Sequence, residues 1–409
     1  MKISSFFKNI GPGSIIAAAF IGPGTVTVCT LAGVNFGYSL LWALALSVIT
    51  TMILQELTGR IGIVTGKDLS QLISSQQSGK LVKFFSTALV LTAIGVGNAA
   101  YESGNIAGTY LGLQIFYEFP VYNLGRLEIV LGNLLIGLLA FTLLWMGNYK
   151  LLERILILLV VLMSLAFLAT TVLIQPDWKL VLKGFIPQWQ SDQFTTIVAL
   201  IGTTVVPYNL FLYSSLAKAK WSSTEDLRYM RSDIVLAILL GGLVSMAIVI
   251  VGAANTSTDI SSALDLSGGM ESLFGRGAKY LVAFGLLAAG LTSSLTAPLA
   301  AGLVICGIMG WSQSINSRSM RGSIAVIVGL GIVFSSLGIK SIELIMLAQL
   351  ANGILLPVVS GWIIWVASQK DVLGKYTNSP AYTFVGILIW LFTLALGMKS
   401  IFTVFGISF

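Results

Sequence analysis

The sequence predicts an all-α polytopic membrane protein with eleven transmembrane helices. Three observations lead to this fold class. Apolar residues make up 56% of the 409 residues and charged residues only 10%, whereas soluble domains carry about 25% charged residues. Apolar segments repeatedly reach the roughly 20 residues that a spanning helix needs. Uninterrupted apolar runs such as 155–175 and 234–253 are typical of helices rather than of the alternating strands of a membrane barrel.

Clusters of glycine, proline and charged residues divide the chain into spans. The predicted spans are 11–34, 38–59, 82–116, 124–146, 151–174, 193–217, 230–253, 277–310, 322–339, 341–368 and 381–404. Spans 82–116 and 277–310 are longer than a bilayer is thick, so we expect them to tilt or to extend beyond it. We interpret 11–33 as a retained span, because no small-residue cleavage site follows a short apolar core.

Basic residues predict how the chain is oriented. With a cytoplasmic N-terminus, 16 of the 23 Lys and Arg residues fall on the inner side and 7 on the outer side. This bias predicts an external C-terminus and accounts for the net charge of +7 without nucleic acid as a partner. The expected partners are the lipid bilayer, a small ion or solute as substrate, and protons as a candidate coupling ion. The short loops favour a bacterial inner membrane.

Residues that carry enzyme chemistry are scarce. The chain has no histidine, and its two cysteines, Cys29 and Cys306, each lie inside an apolar span, where small buried residues are common. No nucleophile–base pair, phosphate-binding loop or cluster of metal ligands is present in the sequence. We therefore expect neither an enzyme nor a bound cofactor.

Two spans are interrupted near their middle, at Gly22-Pro23-Gly24 and at Pro207. Proline removes an amide donor, and glycine lets the chain leave helical dihedrals, so we expect both helices to unwind there. Thr25 is expected to start the second half of the first helix, whose N-terminus carries partial positive charge. Oxygens near the second break come from Thr203, Thr204 and Asn209. Paired interruptions of this kind point to a transporter site near the midplane of the membrane.

The two breaks fall in the first span of each half of the chain. We therefore expect two inverted five-helix repeats, residues 1–175 and 176–370, followed by an additional span in 371–409. Because each repeat has an odd number of spans, the two repeats cross the membrane in opposite directions.

Acidic residues inside spans are rare and costly, and two of them, Glu56 and Glu102, are candidates for a specific role. Glu56 lies four residues before Arg60 near a span end, a spacing that favours a helix-anchoring ion pair. Glu102 lies in the middle of a span. It is a candidate proton relay, a candidate cation ligand, or a structural carboxyl kept neutral by burial.

Several motifs resemble those of the Nramp metal-transporter family. The segment Gly22-Pro23-Gly24-Thr25 resembles the Asp-Pro-Gly-Asn break of its first span, and 36–69 is similar to its second span nearly throughout. Residues 202–214 resemble the family's sixth span and 285–302 its eighth, while Gln349 and Leu356-Pro357 match the tenth. The resemblance extends from residue 11 to about 365. It implies a LeuT-like fold, with the two inverted repeats, and secondary-active symport of a divalent metal ion with protons.

The sequence departs from the family at the positions that bind metal. The family's Asp, Asn and Met ligands correspond to Gly22, Thr25 and Val206, and its sixth-span histidines correspond to Tyr208 and Tyr213. On the family's proton route, Glu102 and Asn105 match two acids and Gly95 replaces a third. Gln349 and the backbone carbonyls at the breaks are the ligands of the family type that remain.

These replacements leave three hypotheses. Soft divalent metals favour thioether or imidazole ligands, and a dehydrated dication needs carboxylates, so we do not expect manganese or ferrous iron as substrate. The first hypothesis is a transporter of a hard or partly hydrated cation. The second is a transporter of a neutral or anionic small solute, which a half-helix N-terminus and Tyr101, Tyr208, Tyr213 and Asn209 would hold. The third is a sensor or scaffold that has lost transport.

The sequence thus predicts three sets of site residues. The substrate-binding set is Gly22, Thr25, Thr203, Val206, Tyr208, Asn209 and Gln349. The coupling candidates are Glu102 and Asn105, and the residues that break the helices are Pro23, Gly24 and Pro207.

Overall fold

A computed structural model describes residues 12–13, 21–75, 80–124, 127–147, 150–255 and 260–404. Most of these residues are helical. We number the long helices in chain order: α1 Pro23–Phe36, α2 Leu41–Thr65, α3 Lys80–Leu113, α4 Leu131–Met146, α5 Lys150–Leu173, α6a Phe194–Thr204, α6b Pro207–Lys220, α7 Leu227–Ala253, α8 Ala278–Met309, α9 Arg318–Ser335, α10 Ser341–Ala367 and α11 Pro380–Val404. Short helices connect them at Leu69–Ser75, Trp178–Lys183, Ala263–Leu266, Glu271–Phe274 and Lys370–Leu373.

The described residues include eight helices long and apolar enough to cross a membrane. These are α2, α5, the interrupted α6, α7, α8, α9, α10 and α11. The other three predicted spans coincide with α1, α3 and α4. Residues 14–20 of the first predicted span lie outside the described part of the chain. The structure therefore shows a polytopic helical membrane protein, and the number eleven stays a prediction.

The prediction for the start of the fourth span was wrong. Instead of a helix from residue 124, Val121–Leu124 and Leu127–Val130 form an antiparallel hairpin, and α4 begins at Leu131. β-Branched and aromatic residues in this stretch, including Val121 and Ile129, favour strands over helix. The amide of Glu128 also donates to the carbonyl of Ser336 at 3.0 Å, which ties the hairpin to the end of α9. This small sheet departs from the all-α prediction.

Helix α3 has extensive contacts with three other helices of the bundle. It packs along α8, α9 and α10, while α1 packs against α7, and α6b packs against α2. Helix α11 contacts mainly α10 at the periphery. Both cysteines are buried and unbridged. The buried apolar side chains form a continuous core among these helices, and the residues around the two breaks belong to it.

The contact between α1 and α7 depends on glycines that face each other. A Cβ at Gly33 would lie 2.2 Å from the carbonyl oxygen of Val249, and a Cβ at Gly252 would lie 2.7 Å from the carbonyl oxygen of Thr30. Small residues allow backbones to approach this closely, and close packing is the main attraction between helices in lipid. The position of α1 relative to α7 is therefore set by the absence of side chains.

Gly33→Ala is expected to destabilise the protein by about 1–3 kcal/mol, because the methyl group would push the α7 backbone away. Thermal unfolding of the purified protein measures this as a lower melting temperature. Gly322→Ala is the matched control, since a Cβ there meets no atom within 4 Å. An unchanged melting temperature for Gly33→Ala would contradict the packing argument.

Candidate transport site

The first break lies at the start of α1. Gly22 is extended, with φ −90° and ψ 179°, and Pro23 is the first helical residue. Proline is favoured at this position because its missing N–H would have no partner in the helix anyway. The helix thus begins two residues before the predicted start at Thr25. Its first hydrogen bond runs from the amide of Val26 to the carbonyl of Gly22, at 3.2 Å.

The second break separates α6a from α6b. Val205 and Val206 leave helical geometry, with φ/ψ of −101°/76° and −84°/120°, and Pro207 opens α6b. The last carbonyls of α6a lose their helical partners here, because proline cannot donate. The break therefore exposes backbone oxygens inside the bundle, next to the N-terminus of a new helix.

The two breaks meet at Gln349 of α10. A Cβ at Gly24 would lie 2.3 Å from Gln349 Nε2, and a Cβ at Gly202 would lie 1.9 Å from the Gln349 carbonyl oxygen. The hydroxyls of Thr25 and Thr203 lie 3.0 Å apart, in hydrogen-bond contact. The structure therefore brings α1, α6a and α10 together at one buried point, where Thr25, Thr203 and Gln349 are each 1% exposed.

The unpartnered buried atoms on these elements include two side-chain amide oxygens within the described residues. They are Gln349 Oε1 and Asn209 Oδ1, the latter on the first turn of α6b. Both are amide carbonyl oxygens and therefore act only as acceptors. A buried polar atom without a partner is costly, so the site is suited to a ligand that presents positive charge or hydrogen-bond donors.

Aromatic rings close one side of the site. Tyr208 packs edge-on against Tyr101 of α3, with ring centroids 5.2 Å apart, and both side chains are buried. The Tyr208 hydroxyl lies within hydrogen-bonding reach of the Tyr101 hydroxyl. Val206 is buried beside it and contributes no polar side-chain atom. The two hydroxyls are thus the polar atoms that this aromatic side of the site provides.

Tyr213 contacts a different part of the structure. Its hydroxyl lies 3.5 Å from Asp233 Oδ2 on α7, and the same oxygen accepts from the amide of Gly13 at 2.8 Å. Tyr213 therefore helps to link α6b, α7 and the segment that precedes α1. The suggestion that Tyr213 hydrogen-bonds a substrate at the break is not supported by this position.

The two coupling candidates contact each other on α3. Asn105 Nδ2 donates to Glu102 Oε2 at 3.3 Å, and Glu102 packs against Gly331 of α9. It is the neighbouring residue, Tyr101, that packs on Tyr208, so Glu102 lies behind the wall of the site. Among the described residues, no group of three or more His, Cys, Asp or Glu side chains is arranged to hold a metal.

Ion pairs gather at one end of the bundle. Glu56 lies 3.3 Å from Arg60, as its spacing predicts, and also accepts two bonds from Arg231 of α7, at 2.9 and 3.0 Å. Arg60 further donates to the carbonyl of Tyr376 at 2.8 Å and to the Asn378 side chain. Arg231 lies 175 residues from Glu56, so no local pattern in the sequence could have indicated this partner.

A second ion pair fixes α6b. Lys218 Nζ lies 2.7 Å from Asp68 Oδ2 and 2.7 Å from Gln71 Oε1, and Gln71 Nε2 donates to Gln313 Oε1 at 2.8 Å. Burial alone would raise the pKa of Asp68, but bonds from Lys218, Ser70 and the Gln71 amide, together with the charge of Lys218, hold it below its ordinary 3.8. This cluster ties α6b to the connection after α2 and to the connection after α8.

Structural comparison places the fold among known transporters. A crystal structure of the manganese transporter of Eremococcus coleocola, in complex with an aromatic bis-isothiourea substituted compound, matches with a TM-score of 0.77 at 22% identity, over 98% of this chain and 88% of that chain. MhsT in complex with L-phenylalanine matches with a TM-score of 0.58 at 16% identity, over 94% and 98%. The chain therefore has the LeuT-like fold of an integral membrane protein, in which the start of α1 and the break in α6 meet at a buried polar site.

Sequence comparison identifies the family. The model of the Nramp family, described as natural resistance-associated macrophage protein-like, matches residues 13–403. The divalent metal cation transporter MntH of Listeria innocua is 28% identical over 99% of this chain and 92% of its own. MntH of Mycobacterium tuberculosis (strain ATCC 25618 / H37Rv) is 25% identical over 97% and 91%. The chain belongs to the Nramp family, whose members are transporters and not enzymes.

Asp68→Asn is expected to lower stability at pH 7 by on the order of 2 kcal/mol, because Lys218 would lose its buried partner. A pKa lowered in the folded state adds stability that is complete above the ordinary value and is lost as the pH falls through the native pKa. The wild-type melting temperature should therefore fall more steeply below about pH 4 than that of the variant. Asp192→Asn, an exposed Asp→Asn change, is the control. Equal melting curves for the wild type and Asp68→Asn would contradict the role of the cluster.

Proposed function

We propose that the chain is a secondary-active transporter that works by alternating access around the site at the two breaks, with a hard or partly hydrated cation as substrate. The observation that carries this proposal is the pair of unpartnered acceptor oxygens, Gln349 Oε1 and Asn209 Oδ1, beside the break carbonyls. Such oxygens suit a hard cation. The names of the MntH relatives, divalent metal cation transporters, support the same substrate class.

The donor set argues against a soft or fully dehydrated metal ion. Gly22, Thr25 and Val206 supply no carboxylate and no thioether, and neutral oxygens cannot offset the loss of a dication's water. A cation that keeps several of its waters, as Mg²⁺ does, needs less compensation from the protein. The altered site therefore favours a hydrated hard cation over the metal that the Eremococcus relative is named for.

A neutral polar solute is the second candidate. The buried Tyr208 hydroxyl can hydrogen-bond such a molecule, and Gly22 adds no side chain to the site. An anion is disfavoured next to Gln349 Oε1 and Asn209 Oδ1, because both of these unpartnered atoms are acceptors. A sensor without transport has no specific observation in its favour.

The proposed arrangement of the helices in the membrane follows from the positions of the breaks. Helix α1 begins at Pro23 and α6b at Pro207, at corresponding places in the two halves, which supports inverted repeats in 1–175 and 176–370 with an extra span in 371–409. The charge bias supports a cytoplasmic N-terminus in a bacterial inner membrane. Glu102 and Asn105 are the candidates for coupling to protons.

Uptake into proteoliposomes tests the substrate class. We expect saturable flux of Mg²⁺ and weak flux of Mn²⁺ in a panel of divalent ions. Gly22→Asp should tighten Mn²⁺ binding at least about tenfold, equivalent to roughly 1.4 kcal/mol, because it adds a carboxylate at the break. If neither protein moved any cation, and Gly22→Asp abolished uptake of a neutral solute, the cation hypothesis would be wrong.

Gly24→Ala tests whether Gln349 belongs to the site. The added methyl group would meet the end of the flexible Gln349 side chain, so the protein should fold while the amide is displaced. We expect flux to fall about tenfold or more with little change in melting temperature. Gly329→Ala, whose Cβ meets nothing within 4 Å, should keep wild-type flux. Unchanged flux in Gly24→Ala would remove Gln349 from the site.

A further inference from the structure

A polar stripe runs along α3, separate from the helix breaks. Asn98, Glu102, Asn105 and Thr109 are spaced by four, three and four residues, so they share one face of the helix. That face is turned toward α8. A Cβ at Gly290 would lie 2.2 Å from Thr109 Oγ1 and 3.0 Å from the Asn105 carbonyl oxygen.

A serine of α8 continues the polar contact one turn farther along. Ser294 follows Gly290 by four residues, so it lies on the same face of α8, and its hydroxyl is beside the Glu102 carboxyl. The interface between α3 and α8 therefore gathers one carboxylate, the side-chain amides of Asn98 and Asn105, and the hydroxyls of Thr109 and Ser294.

Three of these atoms have no hydrogen-bond partner. Glu102 Oε1 and both polar atoms of Asn98 are buried and unpartnered in the described structure. The exposed fraction is 2% for Asn98 and 0% for Glu102 and Ser294. Glu102 Oε2 accepts from the Asn105 amide at 3.3 Å, and the Ser294 hydroxyl lies within hydrogen-bonding reach of the same carboxyl. An arrangement of this kind is costly unless a ligand satisfies several oxygens at once.

No basic side chain offsets the carboxylate from the neighbouring helices. In α8 the basic residue is Lys279, about 22 Å along the axis from Ser294, and in α9 the nearest is Arg321, about 15 Å from Gly331. The described helices α4 and α10 contain no Lys or Arg, and the one acid of α10, Glu343, is exposed. The titratable groups nearest in space are the hydroxyls of Tyr101 and Tyr208. A buried charge needs a partner, and here the chain does not provide it.

We propose that Asn98, Glu102 and Ser294 form a binding site for a monovalent cation, with Na⁺ as the ion. One carboxylate among neutral oxygens is balanced by a single positive charge, so a divalent ion would leave an uncompensated charge. A proton on Glu102 would neutralise the carboxyl but would leave Asn98 Oδ1 and the Ser294 oxygen without a shared partner. A small hard cation contacts all of these oxygens together.

The position of this site gives it access to the transport site. Glu102 follows Tyr101, whose ring packs on Tyr208 at the start of α6b. An ion that orders this part of α3 also orders the wall of the transport site. A role in coupling rests on the proposed transport function, whereas binding of the ion does not.

Thermal unfolding of the purified full-length chain in lipid nanodiscs tests the site, with fluorescence of its nine tryptophans as the signal. NaCl replaces N-methyl-D-glucamine chloride at constant ionic strength and pH. We expect a saturable rise in melting temperature with NaCl that KCl does not reproduce. Glu102→Gln should abolish the rise. Glu343→Gln, the same change at an exposed position of α10, should keep it.

Ser294→Ala keeps the proposal testable if Glu102→Gln does not fold. It retains the carboxylate and removes one oxygen, so the Na⁺ concentration for half-maximal stabilisation should rise about tenfold. Equal melting temperatures in the sodium, potassium and N-methyl-D-glucamine salts would overturn the proposal, as would a sodium response that survives Glu102→Gln. A melting temperature that responds to pH but not to Na⁺ would assign a proton to Glu102 instead. Because no flux is measured, these outcomes are independent of whether the proposed substrate is correct.

Discussion

A polypeptide inside a bilayer has to satisfy its backbone hydrogen bonds internally, and this structure departs from helical backbone at two places within one buried region. Gly22 and Val205-Val206 are extended or irregular at these places. Such backbone is tolerated only where protein or a ligand surrounds it. The close approach of Gln349 to Gly24 and Gly202 provides that enclosure. Gly24 and Gly202 are thus required because only a residue without a side chain lets Gln349 approach and enclose the non-helical backbone. The same enclosed backbone makes the breaks suitable for binding.

Charged side chains lie near the ends of the helices, whereas the breaks in the backbone have only neutral side chains around them. Where the helices end, carboxylates have close basic partners, with Glu56 between two arginines and Asp68 bound by Lys218. At the breaks, the side chains are neutral. The paired charges hold α2, α6b and α7 in one arrangement. In a transporter that changes access, these pairs are the contacts that an opening motion at this end would have to separate, while the neutral centre could change its hydration at lower cost.

The sequence predicted the features that depend on local rules. Proline and glycine act on their own backbone, so the break positions followed from Pro23, Gly24 and Pro207. Most other helix bounds followed from the clusters of glycine, proline and charged residues between the spans. The hairpin at 121–130 was missed because its apolar composition resembles the start of a span. Partners distant in sequence were missed for a different reason. Nothing near Glu56 indicates Arg231, and nothing near Tyr213 indicates Asp233, because such contacts depend on how the helices pack.

The substrate question reduces to which atoms at the site lack partners. Family resemblance alone leaves it open, since the positions of the charged ligand and the thioether are now Gly22 and Val206. The structure adds that two buried amide oxygens, on Gln349 and Asn209, lack partners, and an unpartnered acceptor disfavours an anion beside it. Because those acceptors are neutral, a strongly dehydrated dication would be poorly compensated. Two kinds of substrate suit acceptors that are both unpartnered and neutral: a cation that keeps part of its water, and a solute that brings its own hydrogen-bond donors. The partly hydrated cation is also consistent with the relatives of the chain.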